Sequence, residues 1–480
     1  MLSLSGQPKK ESRIQNQILS AGVIIEAFGH AKTSLNDNAS RVGRFTELQF
    51  NERGRLLGAK MLDYFLEKKR ITQSHATPDE RNFHIFYQLL NGATFEEKTH
   101  LHLTEGTFHY LSPASLNINR TLRGIDDELE FGHLKTALKV LGFQKKQVAQ
   151  IFQLLAAVLH LGNLTFMEDS SHANDACAVR NVDSLIFVAD ILGVDPNALQ
   201  NTLTYKTKLI KKELCSVFLD VQGAEQQRDE LAQALYSLLF SWIVEFLNVK
   251  LCHETPANFI GIVDLFGFQQ FSVNRLDQFC VNYANERLHQ FFLNQVFEAS
   301  HADFELEGIV SIPKIHFFDN SACLQMLAGK DQAQQQGKED SLITASNEDG
   351  SGEGGLIGIM SSQSGQMGRS NKTDATMLES FSKTFNRHDS LTVSRTDKNV
   401  FPSFTVQHYL APVVYTVEGW LEQNVDNLSS DFVTLFRGNG TGGVPASVNS
   451  FVQGLFTDKA LTTESHPRNN NTIVAAQVRI

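Results

Sequence analysis

Apolar and polar positions alternate along this chain with clear changes of period. In "KKESRIQNQILSAGVIIEAFG", Ile14, Ile18, Leu19, Val23 and Ile25 fall roughly on one side of a helix. A polar stretch, "HAKTSLNDNASRVG", follows. "RFTELQF" then sets Phe45, Glu47 and Gln49 against Thr46, Leu48 and Phe50, and "RLLGAKMLDYFL" resumes extended character after the turn "NERG". That pattern predicts a hairpin at the edge of a sheet. "DERNFHIFYQLLNGA" predicts a helix with Asp79 at its cap. Residues 131–166 predict two packed helices punctuated by Gly142 and Gly162. Residues 180–250 read as helical, with a break near "LDVQGAE". "FIGIVDLFGF" is a nearly continuous apolar run, which predicts a buried strand and a tight loop. A long helix is expected over "RLDQFCVNYANERLHQFFLNQVFEASHADFELEG", and "FTVQHYLAPVVYTVEGWLEQN" reads as strand, turn, strand and helix start. Residues 329–355, 361–373 and the stretch after Arg437 are rich in small polar residues and read as mobile loops and a connector.

Composition narrows the classes. The 480 residues are 42% hydrophobic and 20% charged, enough for a large core and more than one subdomain. A net charge of -11 argues against nucleic acid as a partner. The five cysteines are scattered, with no pair at metal-ligand spacing, which fits thiols in a reducing compartment. His100 and His102 are given no metal role. No signal-peptide pattern opens the chain and no stretch reaches membrane-span length, so a soluble cytosolic chain is expected.

Two short strings carry candidate chemistry. In "NDNASR", Asn36 offers an amide for a phosphate, Ser40 a hydroxyl for Mg²⁺, and Arg41 a cation for an acidic partner. The same string fits an Asn-rich surface turn. In "IVDLFGFQ", a strand ending in Asp264 places a carboxylate where α/β folds bind ligands, and Gly267 permits close backbone approach to a phosphate. A strand-terminating Asp and a turn Gly explain that string equally.

Taken together the strings are more specific. "EAFGHAKTSLNDNASRVGRF" resembles myosin switch I with its preceding helix, and "VDLFGFQQFSVNRLDQFCVNYANERLHQFF" resembles myosin switch II with its relay helix. "ERNFHIFYQLL", "LAAVLHLGNLTF", "IHFFDNSACLQML", "GGLIGIM" and "FTVQHYLAPVVYTVEGWLEQNVDNLSSDFV" follow in the family's order. The closest resemblance is to the divergent motor-like domains fused to fungal chitin synthases. It implies an α/β fold of the P-loop NTPase, myosin-head type, with a central mostly β core and large helical inserts, incomplete at both ends. The head-like region is expected over 11–435, with switch I about 31–45 and switch II about 259–300. Residues 436–480 would form a connector like the loop of the actin cleft. By resemblance Asn36, Ser40, Arg41, Asp264, Gly267 and Gln269 are nucleotide-binding, Ser40 and Asp264 hold Mg²⁺, and Mg·ATP is the family cofactor.

The departures from the pattern matter as much. The string G-x-x-x-x-G-K-[ST] occurs nowhere, so nothing supplies its amides and Lys to phosphates. The resemblance implies that the missing strand leaves an unpaired sheet edge. Ala39 replaces the first Ser of the usual pair, and Gln269 replaces the Glu that pairs with the switch I Arg. A neutral hydrogen bond is about half as strong as a charge-assisted one, so switch closure is expected to be weak and ATP turnover low. No catalytic residue is assigned. The basic cluster Lys206, Lys208, Lys211 and Lys212 lies where myosins face actin, and it also fits a solvated basic turn. No segment of the 480 residues resembles a converter or lever, and no Gln-x-x-Arg-Trp string of a chitin synthase occurs in them. The expected function is actin tethering of a chitin synthase for polarised wall synthesis, with secretory vesicles as further partners and the plasma membrane or hyphal tip as the place. The alternative is a truncated record of a nucleotide-dependent actin motor fused to chitin synthase.

Overall fold

The computed structural model describes residues 9–72, 80–104, 106–111, 126–168, 177–210, 213–309, 315–329, 354–366, 372–394, 402–424, 428–438 and 445–456. The chain forms two compact units, one of Met1–Leu265 with Leu428–Glu464, the other of Phe266–Asn427 with Ser465–Ile480.

The first unit begins with helix α1 (Lys9–Gly29), the short strands β1 (His30–Ala31) and β2 (Ala39–Ser40), and the hairpin β3 (Val42–Phe50) and β4 (Leu56–Leu66). This is the helix, loop and hairpin that the periodicity predicts. A 3-10 turn over Lys68–Ile71 follows, with Arg70 and Ile71 buried. Helix α2 (His84–Gly92) starts later than expected and has Phe83 at its N-cap; Asp79, the expected cap, lies outside the described residues. Next come α3 (Phe95–His100), α4 (Asp127–Val140), α5 (Lys145–Gly162), β5 (Phe166–Glu168), β6 (Cys177–Val179), α6 (Val182–Leu192) and α7 (Pro196–Thr204). Asp126 and Asp195 cap α4 and α7 by accepting backbone amide hydrogen bonds.

The stretch read as helical to residue 250 contains an antiparallel hairpin, β7 (Tyr205–Ile210) and β8 (Glu213–Phe218). Tyr205, Thr207 and Leu209 alternate with Lys206 and Lys208, a period of two that the helical surroundings masked. Helix α8 (Val221–Leu251) then runs 31 residues and is long and apolar enough to cross a membrane, contrary to the sequence expectation. In the fold it is a core helix, with Leu231, Leu235, Leu239, Ile243 and Leu247 buried against α1, α5 and β4. At its end Gly58 of β4 approaches so closely that a Cβ would stand 2.0 Å from the Leu251 carbonyl oxygen.

Strand β9 (Asn258–Asp264) completes a three-stranded antiparallel sheet in the order β4-β3-β9. The apolar run was expected to be buried. Instead Phe259 is 57% and Val263 55% exposed, and among the described residues β9 pairs only with β3. Its apolar character reports two faces built for cover, while the described fold supplies a neighbour on one edge alone. Among the described residues the strands form five small sheets, and the buried cluster of this unit is mostly helical, with strands β3 and β4 packed into it. Helices α15 (Ser430–Arg437) and α16 (Ser450–Leu455) return to it after the second unit, and α16 falls within the stretch read as a connector, with Val452 and Leu455 buried.

The second unit contains α9 (Leu276–Leu293), a π-helical turn (Asn294–Glu298), α10 (Ala299–Leu306), α11 (Ser321–Ala328), α12 (Gly355–Gly365), α13 (Asp374–Thr384), the antiparallel sheet β10 (Leu391–Ser394), β11 (Ser403–Gln407) and β12 (Pro412–Thr416), and α14 (Trp420–Gln423). The long helix and the strand-turn-strand-helix run match expectation. Residues 361–365, read as loop, are helical because Leu356, Ile357 and Met360 bury one side of α12. Its core is aromatic: Phe279 lies 5.4 Å from Tyr415 and from Trp420, ring centre to ring centre.

Candidate nucleotide-switch site

The polar loop between α1 and β3 is held by its own side chains. Asn36 Oδ1 accepts from the Asn38 amide at 2.9 Å, and the Asn36 amide donates to Thr33 Oγ1 at 3.1 Å. This is an Asx turn, so Asn36 shapes the loop. Asn38 reaches further. Its Nδ2 donates to Glu26 Oε1 at 3.0 Å, and its Oδ1 lies 3.0 Å from His84 Nε2 and 3.2 Å from His30 Nδ1.

Pairing of β1 with β2 sets His30 directly opposite Ser40. Ser40 Oγ lies 3.2 Å from His30 Nε2 and 3.1 and 3.3 Å from the two carboxylate oxygens of Asp264. The β3–β9 register places Arg44 opposite Asp264, with Arg44 Nη2 3.3 Å from Asp264 Oδ2. The fold thus brings the two expected Mg²⁺ ligands together across 224 positions of sequence. A hydroxyl and a carboxylate are hard oxygen donors, so the set fits a divalent cation of the Mg²⁺ kind, with Arg44 sharing the carboxylate. Burial lowers the His30 pKa against the raising effect of Glu26, and burial, helped by the Arg81 charge, lowers His84 to about 3.

Arg41 is buried, and its Nε donates to Glu67 Oε2 at 2.7 Å. Arg70 Nε donates to the same oxygen at 2.6 Å. Sequence reasoning left Arg41 without an acidic partner; Glu67 corrects that. Burial alone would raise the Glu67 carboxyl, but the two guanidinium groups overcome it and hold the pKa at about 2.

Gly267 and Gln269 belong to the second unit. A Cβ at Gly267 would meet nothing within 4 Å, so its backbone is open to close approach. Gln269 is buried; its amide donates to Asn282 Oδ1 at 2.8 Å and its carbonyl accepts from Asn282 Nδ2 at 2.7 Å. Of the basic cluster, Lys206 sits on β7 with Nζ 3.7 Å from Glu230 Oε2. The side chain of Lys208, and Lys211 and Lys212 altogether, lie outside the described residues.

Sequence reasoning also missed a buried knot in the second unit. Glu286 Oε1 accepts from His408 Nδ1 and the Tyr409 amide, both at 2.9 Å, and from Cys323 Sγ at 3.7 Å. Asn320 Nδ2 donates to Oε2 at 2.5 Å. Although Glu286, Cys323 and His408 cluster tightly enough to suit a metal, these donors already occupy the carboxylate, which reads as a tie between α9, α11 and the β11–β12 turn.

A polar loop and a strand-terminal aspartate thus meet at a sheet edge in a protein of mixed helix and strand. The chain belongs to the myosin head (motor domain) family, whose profile matches residues 1–337 and 352–479. It is 43% identical over 488 residues to "Chitin synthase 8" of Mycosarcoma maydis, covering 99% of this chain and 23% of that protein. It is 40% identical to "Chitin synthase 5" of Cryptococcus neoformans var. grubii, covering 99% of this chain and 24% of the relative. "Myosin-I heavy chain" of Dictyostelium discoideum is 36% identical over 95% of this chain and 18% of its own length. The chain therefore spans about a quarter of the length of the two chitin synthases. The family is a nucleotide-binding motor family that uses Mg·ATP.

Proposed function

We propose that this chain is an actin-facing, motor-like domain serving a fungal chitin synthase, with weak or absent ATPase. It tethers the wall-building enzyme to actin filaments at the plasma membrane or on vesicles of the growing tip. The observation that carries this reading is the convergence of Ser40 and Asp264 in a chain whose two switch strings carry Ala39 in place of a hydroxyl and Gln269 in place of a carboxylate. A divalent cation held there would organise phosphate oxygens. With the water-organising hydroxyl and the closing ion pair gone, the site retains binding chemistry better than turnover. By family resemblance Asn36 remains a phosphate-facing candidate, while Arg41, buried against Glu67, supports the loop from behind; the β7–β8 hairpin with Lys206, Lys208, Lys211 and Lys212 is the actin-facing element.

Cosedimentation of the folded chain with filamentous actin at low salt tests the reading. Pelleting that weakens as salt rises is expected, because the contact is electrostatic. A folded sample that stays in the supernatant at low salt overturns it. Calorimetry with Mg·ATP is expected to show weak binding at most. The edge of β9 that no described strand covers favours a second reading, an active nucleotide-dependent motor in which a further strand pairs with β9 and carries the phosphate loop. Full-length transcripts decide it: an in-frame G-x-x-x-x-G-K-[ST] upstream supports the motor, and a complete transcript without it rules the motor out.

A further inference from the structure

We infer that His30 is a third ligand of the Ser40–Asp264 cation site and turns its preference from Mg²⁺ toward first-row transition ions such as Co²⁺ and Mn²⁺. The inference rests on the reading that Ser40 and Asp264 hold a divalent cation.

The argument starts at Asn38. Its Nδ2 donates to the Glu26 carboxylate at 3.0 Å, which fixes the orientation of the amide. Asn38 Oδ1 therefore faces His30 Nδ1 at 3.2 Å and His84 Nε2 at 3.0 Å. An amide oxygen only accepts, so both ring nitrogens carry their hydrogens. A neutral His30 protonated on Nδ1 has its free lone pair on Nε2. That nitrogen faces Ser40 Oγ at 3.2 Å, and Ser40 Oγ in turn lies 3.1 Å from Asp264 Oδ2. Imidazole, hydroxyl and carboxylate thus converge. The backbone register of His30 opposite Ser40 holds two of the three in place. An imidazole whose far nitrogen donates to a fixed oxygen acceptor is how metal-bound histidines are oriented.

The nitrogen changes the chemistry of the site. Mg²⁺ favours an all-oxygen octahedron and keeps several waters. Nitrogen donors raise affinity along the series from Mn²⁺ to Co²⁺ and beyond. Arg44 takes part of the Asp264 charge at 3.3 Å, which weakens the carboxylate as a ligand and makes the neutral nitrogen count for more.

The test uses the full chain and the metal ions alone. Co²⁺ and Mg²⁺ affinities are measured by calorimetry for the wild type, His30→Gln, Ser40→Ala and Asp264→Asn, and pulsed electron paramagnetic resonance on bound Mn²⁺ reads nitrogen coupling from an imidazole. Thermal melts establish that each variant is folded, and His30→Asn, with a shorter amide side chain, replaces His30→Gln if that one is not. The expected result is a loss of Co²⁺ affinity of at least tenfold in His30→Gln, with Mg²⁺ affinity changed less than threefold and the nitrogen coupling gone. If Ser40→Ala and Asp264→Asn weaken Co²⁺ binding while His30→Gln does not, the ligand role of His30 is overturned and the cation site stands. If none of the variants alters binding, the site reading itself falls, and this inference with it.

Discussion

Two guanidinium groups share one oxygen of Glu67, and all three side chains are buried. Such a cluster costs desolvation to assemble, and removing its centre leaves two buried cations without their anion. Glu67→Gln keeps the shape and deletes the charge, so it is expected to cost about 3–5 kcal/mol at neutral pH. The pH dependence follows from the direction of the shift. The Glu67 pKa falls from an ordinary 4.5 to about 2 in the fold. Its stabilisation is therefore complete above the ordinary value and is lost as pH falls from there through the folded value. Urea titrations across that window should show the wild type losing stability more steeply than Glu67→Gln; parallel curves would refute the assignment. Ser40 and Asp264 were legible as candidates from short strings of suggestive residue types, and the register brings the two together. Glu67, Glu26 and Asn38 were not, because each acts through a partner that only the folded register brings near.

Among the elements, β9 shows most clearly what an apolar run encodes. The string "NFIGIVD" specifies extended backbone and two faces that need cover, and the strand forms as read. What covers those faces is decided by neighbours, and the described fold supplies β3 alone. Gly261 fits this arrangement, since the Phe45 ring lies 2.5 Å from where a Cβ would stand. An uncovered strand edge is a template for pairing with another chain. Phe259 and Val263 share one face and are each more than half exposed, at 57% and 55%. Replacing both with Lys is expected to reduce self-association, read by light scattering, while changing stability by less than about 1 kcal/mol, as at other exposed sites. A loss of folding with no change in association would show instead that these side chains are covered within the fold. The β7–β8 hairpin teaches the complementary lesson: its alternation was present in the sequence, but helices on both sides drew it into a single helical reading.

At the scale of the whole molecule, the boundary near residue 265 follows the energetics of each unit. Among the described residues, the large buried cluster of the first unit runs from Ile18 to Leu251 and resumes at Phe432, with no member from the second unit. The second has its own aromatic core around Phe279, Phe404, Tyr415 and Trp420, and its own polar tie at Glu286. Two separately cored units need not unfold together. The sequence supplies a reporter for each, because its two tryptophans are Trp242 on α8 and Trp420 on α14. Trp242 packs against Phe451 with ring centres 5.0 Å apart, whereas Trp420 is fully buried in the second unit. Trp420→Phe leaves a reporter of the first unit, and Trp242→Phe leaves a reporter of the second. Each variant is expected to give a different denaturant midpoint by fluorescence, and the wild type's far-ultraviolet circular dichroism should span both. Mg²⁺ or Co²⁺ should raise only the midpoint of the first unit, because His30, Ser40 and Asp264 all belong to it. Coincident midpoints that move together with the metal would mean that the chain unfolds as one cooperative body.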